Sequence, residues 1–309
     1  MKTKPFLLFI TFIALCLESC NTYSTFYKPN DTIYNKTPHK TNRLNLEDAK
    51  LDLVLNNIEK YHNIRVLNLS SKTNIEVDTI LQSIRQPLKI KVLILNNCNL
   101  KQLPQSIIRF KNLSQLSLNN NPKLNLTDAF NKLEKIHLQF INLQNNNITA
   151  LPKNITKMQW LVDFNLSGNT VNTNQSFNYL KELPRLKSLW LTNNKLNHLP
   201  EALFNLTSLK CLYIEHNNIY NIPEAMKTMK KLWIIHAGHN KFKTLPKTFA
   251  KMPALLLLHI NNCEIDSIPS CYSSKTCKIA GIILDHNKLS KKKKNYWKKE
   301  FHNFFLLSI

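Results

Sequence analysis

The chain has 309 residues, 43% of them hydrophobic, with a formal net charge of +23. That is enough apolar material for a sizeable core, and a charge that points to anionic partners unless it lies away from the binding surface. Three glycines, Gly168, Gly238 and Gly281, are too few and too scattered for a phosphate-binding glycine loop, and no serine nucleophile elbow occurs.

In chain order, residues 1–4 carry two lysines and Phe6 to Leu17 is an apolar run, the pattern of a secretory signal and too short to span a bilayer as a helix. The run ends Leu17-Glu18-Ser19-Cys20, which resembles the lipobox of bacterial lipoproteins, with Glu18 departing from the usual small or apolar residue. The resemblance implies a signal peptide over 1–19 and a lipid on the Cys20 sulfur as the mature N-terminus. Residues 20–40 read as that lipidated cysteine and a polar linker. Removing 1–19 leaves a charge of +22.

From Thr41 to Leu289 a single template recurs. "LKSLWLTNNKLNHLP", "LKCLYIEHNNIYNIP", "LWIIHAGHNKFKTLP" and "LLLLHINNCEIDSIP" begin at Leu186, Leu209, Leu232 and Leu255 and share the form LxxLxLxxNxLxxLP. This is similar to the leucine-rich repeat, in its bacterial LPxx kind with 23-residue steps. About eleven units begin at Thr41, Ile64, Ile90, Leu113, Leu138, Leu161, Leu186, Leu209, Leu232, Leu255 and Ile279. The resemblance implies an α/β solenoid with a curved parallel sheet on its concave face and short helical or extended segments on its convex face. Positions 3 to 7 of each unit are expected as a strand, and the prolines at position 15 open the return segment.

Apolar positions 1, 4, 6, 11 and 14 point inward, and one unit cannot bury them without stacked neighbours. Position 9 holds Asn121, Asn146, Asn169, Asn194, Asn217, Asn240 and Asn287, a structural asparagine ladder whose buried amides must bond the backbone of the turn and of adjacent units. Cys98 and Cys263 take the same position and are structural for the same reason. Five cysteines in the body, without Cys-x-x-Cys spacing, argue against a zinc module; whether Cys271 pairs with Cys277 stays open. Residues 290–309 leave the template. Ser290 can cap a helix whose Trp297, Phe301 and Phe305 lie four apart, as a terminal cap over the open core or, alternatively, a basic amphipathic surface helix.

Positions 3, 5 and 7 project on the concave face. They contain one basic residue, Arg43, against Glu47, Asp163, Glu215 and Asp285, so the positive charge lies elsewhere and no nucleic-acid groove is expected. Position 5 is polar up to Asn165 except for Ile94, then reads Trp190, Tyr213, His236 and His259 on four successive units. With Ile234 and Leu257 at position 3, Glu215 at position 7 and Asn261 beside them, these residues make the candidate ligand-binding face. His236 and His239 are poorly placed to share an ion. The cross-unit pairs His236 with His259 and His216 with His239 could hold a transition metal with Glu215 nearby, but a third ligand is not evident, so no metal ligand is assigned.

The expectation is a non-catalytic scaffold with no cofactor: a secreted, lipid-anchored envelope protein, at the outer membrane, that binds a protein or peptide through its concave face. A glycan stacked on the same rings is the first alternative, and an intracellular-type adaptor or effector the second.

Overall fold

The computed structural model describes residues 31–32 and 38–309. The signal peptide expected over 1–19, Cys20 and most of the linker lie outside the described residues. Two compact units divide the chain, with described parts 31–165 and 166–309.

In the first unit β1 (Asp31–Thr32), β2 (Arg43–Asn45), β3 (Val66–Asn68), β4 (Val92–Ile94), β5 (Gln115–Ser117), β6 (Phe140–Asn142) and β7 (Asp163–Asn165) each run parallel to the next. In the second, β8 (Ser188–Trp190), β9 (Cys211–Tyr213), β10 (Ile234–His236), β11 (Leu257–His259), β12 (Gly281–Ile283) and β13 (Leu306–Ser308) do the same. Register follows the template: Trp190 lies opposite Tyr213, Tyr213 opposite His236, and His236 opposite His259.

Repeat strands are three residues long, covering positions 3 to 5 rather than the expected 3 to 7. Pairing continues one residue further, through bonds such as Ile214 N–H to the His236 carbonyl at 2.8 Å. Position 8 then turns the chain with positive φ at Asn97, Asn120, Asn145, Gly168, Asn193, His216, His239, Asn262 and His286. Asparagine and histidine tolerate this left-handed conformation better than most side chains, which accounts for their recurrence there.

Return segments sort by unit length. The longer units lack proline at position 15 and form α-helices with side-chain caps: α2 (Asn74–Ser83, capped by Thr73), α3 (Leu126–Leu133, capped by Asn125) and α4 (Asn174–Leu180, capped by Thr173). Units with Pro104, Pro152, Pro200, Pro223 and Pro269 instead form a 3-10 turn after it, while Pro246 opens the four-residue α5 (Lys247–Ala250). The first unit begins its return with α1 (Leu51–Asn57). No helix among the described residues is long and apolar enough to cross a membrane.

Leucine, isoleucine and phenylalanine side chains at the template positions, among them Leu189, Leu191, Leu212, Ile214, Ile235 and Phe242, are fully buried between sheet and return segments. Beside them runs the asparagine ladder. Asn217 Nδ2 donates to the carbonyls of Leu191 and Ile214, both at 2.9 Å, and Oδ1 accepts from the backbone of Asn194 and Leu196 at 2.9 and 3.0 Å. Asn121, Asn240 and Asn287 repeat the arrangement with their own neighbours, and Asn146, Asn169 and Asn194 donate to the equivalent carbonyls. Cys98 Sγ lies 3.3 Å from the Leu69 carbonyl, and burial pushes its thiol up to about 11, so it stays protonated and donates as an amide would.

At the C-terminal end, α6 (Lys291–Glu300) is capped by Ser290, and it buries Trp297 and, just beyond its end, Phe301. Phe305 is not on this helix, because the helix stops at Glu300; its ring instead packs over Gly281, where a Cβ would meet it at 2.8 Å. Trp297 and Phe301 are thus buried as a terminal cap requires, while Tyr296, Phe305 and Leu306 keep part of their surface exposed. Cys271 and Cys277 are both free thiols.

Candidate functional site

The strand face of the C-terminal unit gathers the ladder. Trp190 and Tyr213 stack nearly parallel, with centroids 4.7 Å apart at 4°, and Tyr213 continues onto His236 at 4.8 Å and 25°. Strand spacing of about 4.8 Å is what sets this stack, since residues in the same position of adjacent parallel strands sit one spacing apart. Both Trp190 and Tyr213 keep part of their surface open to solvent.

The run of stacked rings stops at His259, which stands at 71° to His236. That turn brings the two Nδ1 atoms to 3.1 Å of each other. Glu215, at position 7 of the preceding repeat, reaches the same point, with Oε1 3.5 Å from His236 Nδ1 and 3.9 Å from His259 Nδ1. Gly238 leaves room for Asn261 beside this cluster. It occupies position 7 between Glu215 and Asn261, and a Cβ there would run into Asn261 Oδ1, so a side chain at 238 would crowd the column that the carboxylate and amide share. Asn261 Oδ1 is shielded from solvent and has no hydrogen-bond partner.

Burial works against the Glu215 carboxylate, yet its interactions with His236, then His259 and His216, hold its pKa below the usual carboxylate value. Burial and the neighbouring His236 lower the pKa of His259, with Glu215 and Asp285 opposing. These groups therefore favour a carboxylate beside a neutral His259 ring at neutral pH.

His216 and His239 stack at 4.0 Å and 11° on the left-handed turns, near enough for His216 to act on Glu215 but contributing no atom to the cluster. Burial, followed by His216, lowers the pKa of His239.

Two expected contact residues need correction. Ile234 and Leu257 are 5% and 7% exposed, because with Cys211 they form a cross-strand apolar cluster against which Tyr213 and Trp233 pack. They support the rings from beneath and offer no free surface to a ligand. Strand alternation tells which side a residue faces; it says nothing about what its neighbours cover. In the other unit the position-5 asparagines turn inward on their own strand: Asn45, Asn68 and Asn142 each accept a hydrogen bond from the backbone N–H two residues on.

Comparison with known proteins agrees with this architecture. A family model described as "Leucine-rich repeat region" matches residues 164–272, and one described as "Leucine Rich Repeat" matches residues 137–158. Receptor-like protein 9b of Arabidopsis thaliana is 34% identical over 134 residues, 42% of this chain and 14% of that protein. Toll-like receptor 2 of Equus caballus is 27% identical over 185 residues, 58% of this chain and 22% of that receptor. The chain thus spans less than a quarter of either relative. Among solved structures an internalin from Listeria monocytogenes superposes with a TM-score of 0.53 at 17% identity, covering 81% of this chain and 82% of its own, a likeness of fold. The template register, the asparagine ladder and these matches together make the chain a leucine-rich repeat protein.

Proposed function

We propose that the chain is a non-catalytic binding scaffold that captures a protein or peptide on the face carrying Trp190 and Tyr213. The observation that carries this reading is the parallel ring stack at the open strand surface, two large, rigid aromatics set on a sheet that costs little to hold them in place. Two of the relatives are receptors by name, which supports a recognition role for the repeat type. Truncating the anchors with Trp190→Ala and Tyr213→Ala together is expected to weaken partner binding at least about 30-fold, the ~2 kcal/mol of one hot-spot residue. Surface plasmon resonance against the captured partner reads this. Unchanged affinity would remove the ladder from the interface, and loss of binding to a glycan rather than a polypeptide would reassign the ligand class.

We also propose that the scaffold is secreted and held at the outer membrane of a bacterial envelope by a lipid on Cys20, on the strength of the lipobox-like Leu17-Glu18-Ser19-Cys20. A diacylated Cys20 would carry the two chains that stable anchoring takes, without a membrane-spanning segment. Cys20→Ala should move the protein from the membrane pellet to the soluble fraction on cell fractionation. Persistence in the pellet would contradict the anchor.

A further inference from the structure

Three donor atoms of different repeats converge at the end of the aromatic ladder: Glu215 Oε1, His236 Nδ1 and His259 Nδ1, with separations of 3.1, 3.5 and 3.9 Å. The point equidistant from all three lies about 2.0 Å from each, which is the length of a Zn–N or Zn–O bond. A hydrogen-bond network explains the cluster less well. Both carboxylate distances exceed the 2.7–3.2 Å of a good N–H···O bond, and the one contact within that range joins two imidazole nitrogens rather than a ring to the carboxylate.

We propose that Glu215, His236 and His259 form a binding site for a divalent transition metal of the zinc class. Two imidazoles and one carboxylate are a donor set that suits Zn²⁺ and its neighbours and discriminates against Mg²⁺ and Ca²⁺, which prefer all-oxygen shells. The three side chains are each about one quarter exposed, so the ion enters from solvent and keeps coordination positions open on that side. The Tyr213 ring stacked on His236 holds that imidazole in place. The site stands on these atoms alone and does not depend on the partner-binding reading.

The test is titration of the purified, chelator-stripped full chain with Zn²⁺ by calorimetry and with Co²⁺ by visible absorption. One ion per chain is expected, with no uptake of Mg²⁺ or Ca²⁺. Glu215→Gln, which keeps the side-chain shape, and His259→Ala are each expected to weaken binding at least about 10-fold, the loss that an outer-shell partner alone can cause. The control His216→Asn with His239→Asn keeps residues that accept the left-handed turn and, since neither ring supplies a ligand atom, should weaken binding far less than either ligand variant. Circular dichroism of each variant confirms folding. No saturable Zn²⁺ uptake, uptake indifferent to Glu215→Gln and His259→Ala, uptake lost in the turn-histidine control, or equal uptake of Mg²⁺ would each overturn the site. Because the readout is metal uptake, failure here leaves the partner reading standing, and loss of partner binding in the Trp190/Tyr213 variant leaves the metal site standing.

Discussion

Asn217→Ala is expected to destabilise the protein by about 3–5 kcal/mol, although it removes only a small polar side chain. The side chain is 4% exposed and ties two repeats together, since Nδ2 serves the Leu191, Ile214 and Glu215 carbonyls while Oδ1 serves the Asn194 and Leu196 amides. Alanine leaves buried backbone groups without partners, each costing about 1–3 kcal/mol, and no water channel replaces the lost bonds in a stacked core. In a solenoid, stability is largely a sum of intrinsic and nearest-neighbour terms, so the loss falls on the interface between the repeats beginning at Leu186 and Leu209. Asn217→Cys should cost distinctly less. Cys98 holds the same template position and its thiol still meets the Leu69 and Asn96 carbonyls at 3.3 Å, while Cys263 Sγ accepts from the Asn240 amide at 3.4 Å. Urea denaturation of the two variants checks the ranking. Equal losses would mean that volume, not hydrogen bonding, sets the value of the ladder.

Phe301→Ala is the second large effect, at about 3–5 kcal/mol, the usual range for emptying a buried phenylalanine site. Its ring is 1% exposed and packs against Trp297, with centroids 4.9 Å apart, and against Phe304 at 4.4 Å. The last template repeat would otherwise end in an open apolar edge and unpaired strand β12, which β13 now pairs. Tyr296, mostly exposed but edge-on to Trp297 at 5.3 Å, is the comparison: Tyr296→Ala should cost about 0.5–1.5 kcal/mol, the value of the ring pair alone. A thermal melt that shows both variants alike would mean that α6 is an appendage to the array.

Repeat register was legible because the period is a property of the chain itself. A leucine at position 4 or 6 and an asparagine at position 9 can only be satisfied by stacked copies, so the core and the amide ladder follow from spacing. The strand end at position 5 was less legible, although its signal was present in the run of Asn and His at position 8, which mark a left-handed turn. Helical against 3-10 return segments could likewise have been read from the longer steps without proline at Ile64, Leu113 and Leu161.

The candidate site was legible only in part. Common position 5 implied that Trp190, Tyr213, His236 and His259 form neighbouring rungs, and they do. Alternation placed Ile234 and Leu257 on the same side, but could not foresee that their own cluster with Cys211 and the ring of Tyr213 would cover them. Convergence of Glu215 with the two imidazoles depends on side-chain reach across the repeat that carries Gly238 and on the 71° turn of His259, neither of which is encoded in a spacing.

The central claim, that the ring-bearing strand face is where this scaffold binds its partner, is tested most directly by crosslinking and pull-down from cells of the native host with three forms of the protein. These are wild type, the Trp190→Ala/Tyr213→Ala variant, and Tyr220→Ala, which removes an exposed ring outside the ladder. The account predicts one polypeptide retained by wild type and by Tyr220→Ala and lost with the double variant. Retention by the double variant, or loss with Tyr220→Ala alone, would contradict it.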